Sequence, residues 1–138
     1  MSGLILILVP TIQWGGLFLL KSIMTNGTSH YLDSPLKSDL ERAGHAHAGV
    51  IILLSLIAQL LCDHARLPGW LVWFVRLGFP LAAMLMSAGF FLSAGAAGAA
   101  GPGGMVSLVY VGAIVLAASV LTLAVGLLIP AGRAQAAA

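Results

Sequence analysis

The stretch Ser38-Asp39-Leu40-Glu41-Arg42-Ala43-Gly44-His45-Ala46-His47-Ala48-Gly49, continued through the uncharged run Val50–Leu61 and closed by Cys62-Asp63-His64, decides the fold. About 20 predominantly apolar residues cross the hydrocarbon of a bilayer as a helix. This stretch is long and apolar enough to do so. It also holds three of the four histidines in the chain. The sequence on either side alternates between apolar runs and short turns, so the remaining helices are expected to pack around this one.

Composition supports the same reading. Of 138 residues, 60% are hydrophobic and 7% charged, with a mean hydropathy of +1.07. Soluble domains carry about 25% charged residues. Six basic and four acidic side chains are too few to cover a water-facing surface of this length, so lipid is the expected solvent. In hydrocarbon the backbone must satisfy its own hydrogen bonds, which leaves helices or a closed barrel. The apolar runs are continuous and do not alternate, which selects helices. The expected fold is an all-α polytopic membrane protein, a four-transmembrane-helix bundle forming one membrane domain over residues 1–138, with helices at about 4–24, 38–62, 70–94 and 105–129.

Several function classes drop out. The basic residues are scattered, so no nucleic-acid surface forms. One cysteine, Cys62, makes no internal disulfide. Neither Gly-x-Ser-x-Gly nor His-Glu-x-x-His occurs. The Gly- and Ala-rich connection Gly95–Gly104 lacks the Lys-Ser/Thr ending of a phosphate loop. The first apolar run has no Lys or Arg before it and no Ala-x-Ala site after it, and is read as a retained helix.

Along the chain, Pro10 is expected to kink the first helix, beside Gln13, Trp14 and the pair Gly15-Gly16. Small residues there suit close helix approach; admission of a ligand is the alternative. The loop Thr25–Lys37 is polar and carries His30, Tyr31 and Asp33. The second helix has two candidate starts. One is Ser34 with Pro35 at the first helical position; the other is a capping box, Ser38-Asp39-Leu40-Glu41. Trp70, Trp73 and Phe74 form an aromatic belt at the entry of the third helix. Arg76 lies just inside it and is expected to snorkel; a salt bridge to Asp63, or contact with an anionic head group or haem propionate, is the alternative. Ala82, Ala83, Ser87, Ala88 and Gly89 form a small-residue region suited to tight packing. The expected location is the bacterial inner membrane. Basic residues balance across the two sides; the charge-free Gly-rich loop then favours cytoplasmic termini, with His30, His45 and His47 facing outward.

Candidate chemistry centres on Glu41, His45 and His47. Glu41 and His45 are four apart and share a helical face. His45 and His47 are two apart, about 200° around the helix, and cannot chelate one ion from a regular helix. One is expected to face the bundle and the other a neighbouring helix or subunit. Gln59 continues the His45 face as the floor of a pocket, and Gln13 is a further candidate for its lining. Imidazole is a common ligand of haem iron, copper and zinc. Haem needs one or two axial histidines; copper or zinc would need more ligands, and His30 or Asp33 of the loop, with Glu41 beside the histidines, are the candidates on the same side. The competing reading is an interfacial histidine pair with Glu41 used in capping. His64 lies roughly 25 Å further along the helix, in a separate cluster.

The segment Arg42-Ala43-Gly44-His45-Ala46-His47-Ala48-Gly49-Val50, with Phe79-Pro80 and Ser87-Ala88-Gly89-Phe90-Phe91-Leu92-Ser93, resembles small predicted four-helix bacterial membrane proteins of unassigned function. That resemblance covers most of the chain and implies no mechanism. More remotely, His-x-His at the head of a membrane helix resembles haem-copper-oxidase-like membrane proteins. Only His45 and His47 match, and the multi-histidine copper site of the oxidases is absent.

The leading expectation is a small membrane protein binding haem or a transition metal through His45 and His47, in electron transfer or redox support. The alternatives are a non-catalytic accessory or assembly subunit, and a proton or small-solute pathway lined by His45, Gln59 and Gln13. The expected partners are the lipid bilayer and either further copies of the chain, as a homo-oligomer, or a larger membrane complex.

Overall fold

The computed structural model describes residues 1–25, 34–95 and 100–130. Helix α1 spans Ser2–Met24, α2 Pro35–Cys62, α3 Gly69–Ser93 and α4 Ser107–Leu128, the last entered through a 3₁₀ turn at Gly104–Val106. All four spans, α4 counted with that turn, are long and apolar enough to cross a membrane. The fold is the expected four-helix bundle. Pro10 and Pro80 both lie inside continuous helices.

The start of α2 corrects one expectation. The helix begins at Pro35, whose missing N–H costs nothing at the first position. The capping box does not form. The Ser38 hydroxyl donates to the Pro35 carbonyl at 2.9 Å, within the first turn. Glu41 therefore lies inside the helix, with its side chain buried.

The helices run antiparallel in sequence order. The strong packing pairs are α1 with α2, α2 with α3 and α3 with α4; α2 also touches α4 lightly. One apolar cluster joins Ile5, Ile51, Ile52, Ala83 and Met86. A second joins Ala58, Cys62, Val75, Phe79 and Leu123 towards the other end. Small residues set the α3–α4 crossing, as the sequence led one to expect. A Cβ on Gly89 would stand 2.7 Å from the backbone nitrogen of Val109, and one on Gly112 would stand 3.0 Å from that of Met86. Neither backbone can yield, so glycine alone permits this separation.

The α2–α3 turn and the described ends of the α3–α4 connection are tied down. The Arg66 N–H donates to the Gly126 carbonyl at 2.8 Å, and its guanidinium donates to the Ile129 carbonyl. Together these bonds fasten the α2–α3 turn to the end of α4. After α3, Gly95 takes a φ of 65°, a left-handed conformation that glycine adopts without penalty. The Gly103 N–H then returns to the Ser93 carbonyl at 2.9 Å. Trp70 and Trp73 are exposed at the entry of α3, where a membrane-interface belt would sit.

Candidate functional site

The site is built on the first half of α2, which is regular helix through Gly44. His45 and His47 therefore project to different faces. His45 is half-buried against α1. A Cβ on Gly16 would stand 3.1 Å from His45 Cε1 and 3.2 Å from Nε2; one on Gly15 would stand 3.6 Å from Nδ1. The two glycines thus form a notch that seats the imidazole.

His47 faces α3. Its Nδ1 lies 2.7 Å from the Ala43 carbonyl. The carbonyl can only accept, so Nδ1–H donates. In a neutral ring the lone pair is then left on Nε2. The ring also packs on Phe90 at a centroid distance of 4.9 Å and an interplanar angle of 38°. Beside it is an apolar hollow of about 170 Å³, lined by Ala46, His47, Val50 and Ile51. Gly44 lets α3 approach here, since a Cβ on it would stand 3.0 Å from the Phe91 ring.

Glu41 lies one turn before His45 and is 7% exposed. Its Oε2 has no hydrogen-bond partner. An unpaired buried polar group costs about 1–3 kcal/mol. Among the described residues, no three His, Cys, Asp or Glu side chains gather closely enough to hold a metal ion. His30 and Asp33 lie outside the described residues.

The other candidates are spread out. Gln59 is buried, and its Nε2 donates to the Arg76 carbonyl at 3.0 Å. Gln13 is on an exposed face of α1, away from Gln59. Arg76 forms the ion pair with Asp63 that was the alternative to snorkelling. It lies level with Gln59, roughly 18 Å of helix from His47, so the two do not meet. His64 sits beyond the end of α2, exposed, with Nδ1–H donating to the Leu60 carbonyl at 3.2 Å.

Two features escaped the sequence reading. Phe90 is the neighbour of His47, and no spacing rule links residues on different helices. Ser55 and Ser87 are interior hydroxyls without partners. The four-residue step from Ser55 to Gln59 was the available signal for the first of them.

No known protein family, curated protein or solved structure matches this chain.

Proposed function

We propose that the chain is a small integral membrane protein that binds haem or a transition-metal ion through His45 and His47, in support of electron transfer. The observation that carries this reading is the bond from His47 Nδ1 to the Ala43 carbonyl. Metal-ligating histidines are commonly oriented by a carbonyl or carboxylate on the other ring nitrogen. Here that partner is the preceding turn of the same helix, and Nε2 is left as the donor atom beside an apolar hollow. His45 offers a second imidazole on the opposite side, with the unpaired Glu41 oxygen one turn away.

A bound haem or copper would supply one-electron chemistry; zinc would not. The part of the protein is to hold the imidazoles and exclude water. Because the two rings diverge, each would serve a separate group, or one would ligate while the other packs. Copper or zinc would need donors from outside the described residues or from a second copy, which favours a homo-oligomer or a larger complex. The bacterial inner membrane with cytoplasmic termini is the location that goes with this reading, supported by the charge-free connection after α3.

The test is purification in mild detergent and, in parallel, in a detergent-free polymer disc. Each sample is followed by an ultraviolet-visible spectrum and elemental analysis. A Soret band with iron, or stoichiometric copper or zinc, is expected. His47→Ala and His47→Phe should both lose the group bound at that ring, although phenylalanine keeps the packing on Phe90. Full retention in both the His45→Ala and His47→Ala variants overturns the proposal, as does a metal-free, colourless sample in polymer discs.

A further inference from the structure

Helix α1 leaves more of itself uncovered than any other span. The share of its most apolar stretch that is buried is 11%, against 33% in α2, 33% in α3 and 22% in α4 with its leading turn. Within α1 the Thr11 hydroxyl donates to the Leu8 carbonyl at 2.6 Å, and that of Ser22 to the Phe18 carbonyl at 3.0 Å. The Gln13 amide is different. It is exposed and has no hydrogen-bond partner among the described residues. Gln13 also stands at the middle of α1, eleven residues from Ser2 and eleven from Met24. That is roughly 16 Å from either end, near the mid-plane of a hydrocarbon layer about 30 Å thick. Lipid tails offer an amide no hydrogen bond there, and an unpaired one is costly.

The residues around Gln13 form a face. Leu6, Pro10, Gln13, Leu17, Leu20 and Met24 advance by alternating steps of four and three, the repeat of a left-handed helix pair. All six are exposed. An apolar stripe alone is ordinary for a helix in lipid; the amide at its centre is not. The stripe carries a second polar need, because Pro10 has no N–H and leaves the Leu6 carbonyl without its usual helical donor. This is not the face that docks on α2. That one is formed by Ile5 and Leu19, 2% and 6% exposed, and by Gly16 against His45.

We infer that this stripe of α1 pairs with the same stripe of a second copy, about a two-fold axis along the membrane normal, with the two Gln13 amides bonded to each other at mid-membrane. Copies inserted in one orientation hold each residue at the same depth, so a side chain beside a two-fold axis meets itself. An amide both donates and accepts, and so satisfies its own copy; a lysine or a carboxylate would repel it. Glutamine is among the side chains that bond membrane helices together, and one polar residue in such a stripe also fixes the register. Lys21 lies off the stripe near the helix end, where it reaches the head groups. The inference gives the homo-oligomer named above an interface, and it does not rest on a bound haem or metal.

The test is cross-linking of the full chain in liposomes, through single cysteines in a Cys62→Ala background with diamide as oxidant. Leu17→Cys lies on the stripe and Phe18→Cys off it, at nearly the same depth; both native side chains are exposed. Leu17→Cys should form the disulfide-linked dimer at least tenfold faster, and the difference should persist as the chain is diluted with lipid. Adding Gln13→Leu should slow that dimer at least tenfold, while Gln13→Asn, which keeps an amide, should retain most of it. Only variants with wild-type helicity and melting temperature are compared, and Gln13→Met replaces Gln13→Leu if that variant fails to fold. A chelator should leave the rates unchanged, which separates this pairing from one held by a shared metal. Equal rates at positions 17 and 18, a dimer undiminished without the amide, a dimer lost on chelation, or a chain that stays monomeric would each overturn the inference.

Discussion

The imidazole of His45 occupies the space that Gly16 leaves by having no side chain: a methyl there would stand 3.1 Å from Cε1 and 3.2 Å from Nε2. The histidine and the glycine are on different helices, so this contact fixes how α1 lies on α2. Gly16→Val should force the ring out of its notch and cost about 1–3 kcal/mol, the usual penalty for overpacking. Gly15→Ala meets His45 at an ordinary 3.6 Å and should change little. Thermal unfolding in detergent compares the two. Equal midpoints would show that the notch is slack.

The α3–α4 crossing makes a sharper contrast. In Gly112→Ala the new methyl would meet the Met86 backbone, which cannot rotate away, so the helices must separate. A loss of about 1–3 kcal/mol or more is expected. Gly49→Ala is the control. Nothing lies within 4 Å of a Cβ there, and the glycine sits inside α2. Helix propensity should then raise stability by about 0.5–1 kcal/mol. Parallel unfolding curves of the two variants are the measurement, and a drop for Gly49→Ala would contradict it.

The pair formed by Arg76 and Asp63 should contribute little by itself. Asp63 is largely exposed, and pairs open to water are worth about 0–1 kcal/mol. Asp63→Asn should therefore lower stability by no more than about 1 kcal/mol. Gln59 bonds to the Arg76 backbone, so Arg76→Met leaves that bond intact and should be close to neutral. A large loss in Arg76→Met would mean that the guanidinium holds more of the structure together than this one pair.

How much of this was legible beforehand follows from where each feature is encoded. The four spans were, because twenty apolar residues in a row have only one stable form in lipid. Their ends agree with the expected ones to within three residues. The start of α2 was the choice between two signals, and Pro35 prevailed because it tolerates the first helical position while Ser38 is satisfied from within the turn. The divergence of His45 and His47 was legible from the helical repeat alone. What seats them was not. Gly15, Gly16 and Phe90 meet the histidines through the register between helices, and that register is set by crossings such as Gly89 on Val109 and Gly44 on Phe91. Those contacts have no local pattern. The buried polar positions of α2 were half visible: Glu41, His45 and Gln59 stood out on one face, but the partnerless hydroxyl of Ser87 on α3 belongs to the assembled bundle.

Each helix of this chain makes its main contact with the helix next to it in sequence. A bundle wired mainly in this way closes few long loops, the Arg66 bonds to the end of α4 being the exception, and chains dominated by local contacts fold quickly. As synthesis proceeds, every new span finds its docking surface already in the lipid: α2 on α1, α3 on α2, α4 on α3. The order of emergence is thus the order of assembly. A truncated nascent chain should hold a native pair of helices at every stage and should not wait for its last residue.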